Sequence, residues 1–188
     1  MRRLRSYIYS LVFVIISALA FLYNGRSAAV SHSQEVKLSI PFGGTYNYNH
    51  VYVKRAVDGD TLLLETGERV RLIGVDTPEI HESDKLYRDS KRSGENTRTI
   101  KAMGQKAYLF TRNLVEAKYV RLEFDLEKYD KYDRLLAYVY LEDGTFVNAE
   151  IVKQGYASLM TIPPNVRYSD LFLRLYREAR ENKRGLWK

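Results

Sequence analysis

At 188 residues the chain has room for one ordinary domain plus extensions, and a hydrophobic share of 45% supplies a proper core and excludes general disorder. A net charge of +7 favours polyanionic partners, nucleic acid or an anionic membrane face, but four of those charges are Arg2, Arg3, Arg5 and Arg26 in an acid-free N-terminal stretch, so the body is only mildly basic. The absence of cysteine excludes disulfides, thiolate metal sites and lipid attachment at cysteine.

Arg2, Arg3 and Arg5 precede an uncharged run from Tyr7 to Tyr23, "YIYSLVFVIISALAFLY". A basic start followed by an apolar stretch is the pattern of an export signal, and the run is at the short end for a membrane span. Ala18-Leu19-Ala20 offers a small-x-small cleavage site, and Ser27-Ala28-Ala29 a second, poorer one. Residues 1–23 therefore read as a signal peptide or a signal anchor, and the sequence leaves both open. In either case the arginines stay in the cytoplasm and the remainder is exported, to become extracellular or membrane-anchored with its domain outside. Residues 24–50 carry Gly, Ser, Asn and one Pro without a sustained period and read as a flexible tether.

The folded domain is expected over residues 51–188. "VYVKRAVDGDTLLLETGERVRLIGV" reads as three short strands with turn signals at Asp58-Gly59 and Thr66-Gly67. Residues 80–95, half of them charged, read as a polar loop. Ile100, Met103, Ala107, Phe110 and Leu114 then repeat as one face of an amphipathic helix, despite Gly104. Lys118–Asp125 and Arg134–Leu141 read as strands four and five. A short helix ends at Gly155, and a last one, from about Ser169 to Asn182, turns Phe172, Leu175 and Ala179 inward. This order predicts a mainly β protein with α, a small antiparallel five-stranded OB-type barrel with about three packed helices. That architecture hosts many functions, so function rests on the site.

Three segments place an acid or an arginine where a strand meets a turn: "VDGDT" from Val57, "RLIGVDTPE" from Arg71, and "YDKYDRLLAY" from Tyr129. Each has a plain explanation alone: solvated turn aspartates, a capping-box-like Asp76-Thr77-Pro78-Glu79, or surface arginines. Plain explanations handle their joint occurrence badly. Phosphodiester hydrolysis needs a positioned water and stabilisation of the negative charge that gathers on phosphoryl oxygens. Two aspartates at strand ends with a backbone carbonyl suit a hard cation such as calcium. A glutamate can deprotonate water, and guanidinium forks suit phosphate. Asp60, Asp76, Glu79, Arg71 and Arg134 supply that inventory. The three histidines, His32, His50 and His81, lack zinc-ligand spacing.

On "DGDT", "RLIGVDTPE" and "DKYDRLLAYVY" together, the chain resembles the staphylococcal nuclease (thermonuclease) family over roughly Val51 to Trp187. The resemblance implies an OB-like barrel and calcium-dependent cleavage of DNA and RNA that frees the 5′ oxygen and leaves 3′-phosphate ends. It implies calcium ligation by the Asp60 and Asp76 carboxylates and the Thr77 main-chain carbonyl, with Asp58 beside the site. Glu79 is implied as general base or water-orienting group. Arg71 and Arg134 are implied as phosphate-binding, transition-state residues, and Lys131 and Tyr132 as contacts to a nucleotide phosphate. Three departures stand out. Asp133 replaces the family's usual Gly before the second arginine, the segment after Glu79 is longer, and "ASLMTIPPN" (residues 157–165) lacks a pair of tyrosines found near the bound nucleotide. The expected partners are DNA and RNA, and the membrane if the N-terminal segment is retained; a monomer is expected. The alternative is a catalytically weak or inactive nucleic-acid-binding OB module tethered at the cell surface, and such a module is expected to lack some of the five site residues, all of which are present here.

Overall fold

The computed structural model describes residues 47–188; the stretch read from sequence as a signal peptide or anchor, and the stretch read as a tether up to residue 46, lie outside the described residues. The elements run β1 (Val51–Ala56), β2 (Thr61–Leu64), β3 (Arg69–Leu72), β4 (Gly74–Asp76), α1 (Asp84–Ser93), α2 (Thr97–Val115), β5 (Tyr119–Glu123), β6 (Leu135–Leu141), α3 (Val147–Lys153), β7 (Ser158–Met160) and α4 (Ser169–Glu181), with a 3-10 turn at Gly185–Trp187. β1, β2, β3, β6 and β5 close into a barrel in that order, the five-stranded OB-type architecture that the sequence predicts. Its pairings are antiparallel except β3 with β6, which run parallel with Arg71 opposite Leu136.

Alternation along the strands explains the closure. Val51 and Val53, Leu62 and Leu64, Val70 and Leu72, Val120 and Leu122, and Leu135, Ala137 and Val139 are all buried, with successive members two residues apart and so on one face. The intervening positions turn away from the barrel interior. Arg71 in β3 is one of them, and with Asp60, just ahead of β2, it leads to the site. Tyr48, just before β1, packs on the same core, and its hydroxyl donates to Glu68 over 2.7 Å.

Three local features differ from the sequence reading. The third strand does not run on to Val75. It ends at Leu72, and the chain bends at Ile73-Gly74, where Gly74 has φ +80° and a Cβ would come within 2.4 Å of the Phe172 ring, so only glycine fits. The chain leaves the barrel there, and β4 pairs with β7, Asp76 opposite Ser158, in a two-stranded sheet. Second, residues 80–95 are not a loop throughout. Ser83 accepts from the Leu86 N–H at 3.1 Å, Gly94 closes the end in the left-handed conformation, and α1 lies between them. Only Leu86 of α1 is fully buried, so no apolar period marks it. The described residues thus hold four helices where about three were expected.

Third, the buried stripe of α2 is Ile100, Gly104, Ala107, Thr111 and Val115, turned by about one position from the predicted face. Gly104 is the reason. A Cβ there would come within 2.6 Å of both the Pro78 and Glu79 carbonyl oxygens, so α2 lies directly on the backbone that carries Glu79. Trp187 finds its apolar seat edge-on to Tyr176, with the ring centroids 5.4 Å apart.

Candidate active site

The β1–β2 turn delivers Asp60. Asp58 Oδ1 accepts from the Asp60 N–H at 2.9 Å, and the buried Thr111 hydroxyl of α2 donates to the Gly59 carbonyl at 2.7 Å. Gly59 is pressed against Thr77; a Cβ would come within 2.7 Å of the Thr77 side chain. Asp60 is 5% exposed, and both of its oxygens are engaged. Oδ2 accepts from the Thr77 N–H at 2.9 Å and the Thr77 hydroxyl at 3.1 Å. Oδ1 accepts from the Thr61 hydroxyl at 3.2 Å and lies 3.1 Å from Arg71 Nη1.

Arg71 reaches Asp60 because the β2–β3 register sets it opposite Thr61. Its guanidinium also donates to the Val75 carbonyl at 2.6 Å and the Leu72 carbonyl at 3.2 Å, and Nη2 lies 3.5 Å from Asp76 Oδ1. The bend at Gly74 makes this possible by folding Val75 and Asp76 back over β3. The buried Asn148 of α3 fixes that bend, its amide donating to the Ile73 carbonyl at 2.9 Å while its oxygen accepts from the Val139 N–H at 2.9 Å.

Electrostatics follow from this packing. Burial opposes ionisation of Asp60, but the Arg71 charge, the Thr77 N–H and Lys85 more than offset it, so its carboxyl lies below the usual range. Asp58 has the opposite outcome: burial first and the Asp60 charge second push it up to about 7. The two aspartates of "DGDT" thus divide into one firmly ionised group and one that resists a second charge beside it.

Lys85 was not among the expected site residues. Its ammonium lies 2.9 Å from Asp76 Oδ1, 2.9 Å from the Thr77 carbonyl oxygen and 3.1 Å from Glu79 Oε1. Three oxygens from the "DTPE" segment therefore converge on one cationic point. Among the described residues no group of three or more His, Cys, Asp and Glu side chains meets at such a point. The convergence instead combines two carboxylates with a main-chain carbonyl. All of these donors are hard oxygens already arranged around a positive charge, which fits calcium chemically and not zinc. Asp60 is the least available of the expected ligands, because its oxygens already take four partners.

Arg134 lies on the other side of Arg71. A cavity of about 360 Å³ has both arginines in its wall, together with Lys131, Tyr132, Met160 and Ile162. Arg134 is held by its own turn: Nη2 lies 2.7 Å from Asp130 Oδ2 and Nε 2.8 Å from the same oxygen, while Asp130 Oδ1 accepts from the Arg134 and Tyr132 N–H groups. Asp133 has φ +58°, the left-handed conformation expected where a glycine is replaced. The carboxylate that holds Arg134 is Asp130, and not its neighbour Asp133. Tyr132 is exposed, with the Lys131 ammonium 5.0 Å and the Arg134 guanidinium 5.5 Å from its ring centroid. Met160 and Ile162 stand in the segment that lacks the tyrosine pair.

The structure thus brings Asp60, Arg71, Asp76, Thr77 and Glu79 into one cluster and sets Arg134, Lys131 and Tyr132 across an adjoining cavity. An OB-type barrel with carboxylates beside its strand ends and two arginines in one cavity wall fits a class that handles phosphate. The chain belongs to the staphylococcal nuclease homologue family, whose model matches residues 69–188. A thermonuclease of Staphylococcus intermedius is 36% identical over 179 residues, covering 93% of this chain and 92% of that protein. An uncharacterized protein of Methanocaldococcus jannaschii is 38% identical over 157 residues, covering 78% and 75%. Endonuclease YncB of Bacillus subtilis is 34% identical over 143 residues, covering 73% and 61%.

Proposed function

We propose that the protein is an exported, monomeric, calcium-dependent endonuclease that hydrolyses DNA and RNA and leaves 3′-phosphate ends. Family membership and the relatives named thermonuclease and endonuclease support the nuclease reading. The observation that carries the chemistry is the pair Arg71 and Arg134 in the wall of one cavity, with the carboxylate cluster on the far side of Arg71.

In this reading a phosphodiester lies between the two guanidiniums, which bind its non-bridging oxygens and stabilise the charge that builds on them. Lys131 and Tyr132 hold a neighbouring phosphate. Glu79 takes a proton from water as the water oxygen bonds to phosphorus. The bond from phosphorus to the 5′ oxygen breaks, and that oxygen leaves with a proton from solvent. Asp60, Asp76 and the Thr77 carbonyl would hold calcium, which when bound supplies positive charge beside the phosphate. With only two carboxylates committed, its affinity falls toward ~10⁻⁴–10⁻³ M, suited to the outside of a cell. Residues 1–23 support export, as a cleaved signal or as a membrane anchor.

The test is to incubate the purified protein with plasmid DNA and with RNA, in calcium or in excess chelator, and to analyse the ends. Calcium-dependent fragments that gain 3′-hydroxyls only after phosphatase treatment are expected. Fragments with 5′-phosphates would reject the assigned bond.

A further inference from the structure

The ammonium of Lys85 has three N–H donors and no acceptor, and it meets three oxygens: Asp76 Oδ1, the Thr77 carbonyl and Glu79 Oε1. Two of these belong to the proposed calcium ligands. The third belongs to the proposed base, which cannot take up a proton from water freely while it is paired with an ammonium. A divalent ion and this ammonium cannot share the same oxygens, because like charges at such separations repel strongly in a partly buried site. Three carboxylates, Asp60, Asp76 and Glu79, face two cations, Arg71 and Lys85, so one negative charge is left over. A doubly charged ion in place of the ammonium removes that excess.

We propose that Lys85 is a positioning residue, an internal counter-ion that holds Asp76, Thr77 and Glu79 in place until a divalent cation displaces it, so that α1 and calcium compete for the same oxygens. The inference rests on the calcium reading above. Lysine suits the role because it is a compact charge on a flexible stem that can withdraw without dismantling a fork. Its side chain is 23% exposed, so a path to solvent is open. Its helix is lightly packed too, since Leu86 is the one fully buried residue of α1. The cost of displacing Lys85 lowers the apparent calcium affinity by the fraction of molecules in which the oxygens are free.

Calcium binding to the full chain is measured by calorimetry without nucleotide, for the wild type and Lys85→Met. The variant should bind calcium at least about tenfold more tightly and melt at a lower temperature when metal-free, since the acids lose their counter-ion. Equal or weaker calcium binding by the variant overturns the proposal while leaving the calcium reading intact. If neither protein binds calcium and only the wild type cleaves DNA in chelator, Lys85 is a permanent substitute for the metal, and both readings fall. A measurement on the wild type alone guards against a variant that does not fold. Amine-reactive labelling of Lys85, read by mass spectrometry, should rise several-fold with saturating calcium, while exposed Lys106 stays constant. Labelling of Lys85 that is unchanged or reduced by calcium contradicts displacement.

Discussion

Arg71 and Arg134 face the same cavity but are held by different means. Arg71 sits in a barrel strand, its side chain 12% exposed, and is fixed by Asp60 from the β1–β2 turn, by Asp76, by the neighbouring Leu72 carbonyl and by the Val75 carbonyl brought over it at the Gly74 bend. Arg134 is 27% exposed and is fixed by Asp130, four residues earlier in its own turn. Long-range packing makes the first arginine part of the fold. A local turn presents the second, which the fold can do without. Two residues with the same proposed task should therefore differ in what their loss does to stability.

The largest expected effect separates them. Arg71→Ala and Arg134→Ala should each slow DNA cleavage on the order of 10²–10³, the usual cost of a charge-stabilising donor. Arg71→Ala should also lower unfolding free energy by about 3–5 kcal/mol, because Asp60 stays buried without its counter-charge. Arg134→Ala should cost less than about 1 kcal/mol, since Asp130 keeps two backbone N–H donors and its pair is partly solvated. Urea denaturation beside single-turnover cleavage checks both. Equal stability losses would erase the contrast, and lysine at either position should not restore the rate.

Gly104→Ala extends the comparison to a residue that touches no substrate. Its methyl would press on the Pro78 and Glu79 carbonyls, so a loss of about 1–3 kcal/mol and a slower rate from a displaced Glu79 are expected. An unchanged rate would show that the Glu79 backbone has room to shift.

Asp130→Asn sharpens the Arg134 side. Burial alone would raise the Asp130 carboxyl, but the Arg134 and Tyr132 N–H groups and the Arg134 charge outweigh it and hold it below the usual range. A carboxyl lowered on folding contributes stability above its unfolded value of about 3.9, and that contribution fades as pH falls through the lower folded value. The wild type should therefore exceed Asp130→Asn in stability by a constant margin from about pH 6 to about pH 8, with the margin shrinking below about pH 4. A margin that does not change with pH would assign the effect to shape rather than charge. The smallest effect belongs to Asp133→Gly, which relieves a left-handed φ by at most about 1 kcal/mol. Its cleavage rate should stay within a few-fold of wild type, because Asp130 is the carboxylate that holds Arg134. A gain of tenfold or more would show that Asp133 restrains that arginine.

The barrel was legible because its strands alternate and its turns carry Gly at Gly59 and Gly67. Asp60, Arg71, Asp76 and Thr77 were legible as a group because each stands in a strand or beside its end, and pairing brings those positions together; Glu79, three residues past β4, joins them through Lys85. What escaped was held by contacts without a periodic signal. α1 buries one residue fully, so only its caps, Ser83 and Gly94, mark it. Lys85 looked like one charge among many, since nothing in a sequence says which lysine will turn toward "DTPE". Gly104 counted as a weakness in a helix, whereas its missing side chain lets α2 rest on the Glu79 backbone. Thr111 and Asn148 are fully buried polar residues that reach carbonyls 52 and 75 positions away, at Gly59 and Ile73. The β4–β7 pairing depends on a bend that a glycine permits but does not announce.

The most direct test is cleavage of plasmid DNA by the purified protein, wild type beside Asp76→Asn, across a calcium titration and in excess chelator. Calcium-dependent cleavage by the wild type, with a midpoint near ~10⁻⁴–10⁻³ M, and a large loss in the variant are expected. Wild-type cleavage that persists undiminished in chelator would contradict the assignment of the Asp76–Glu79 oxygens to a divalent cation.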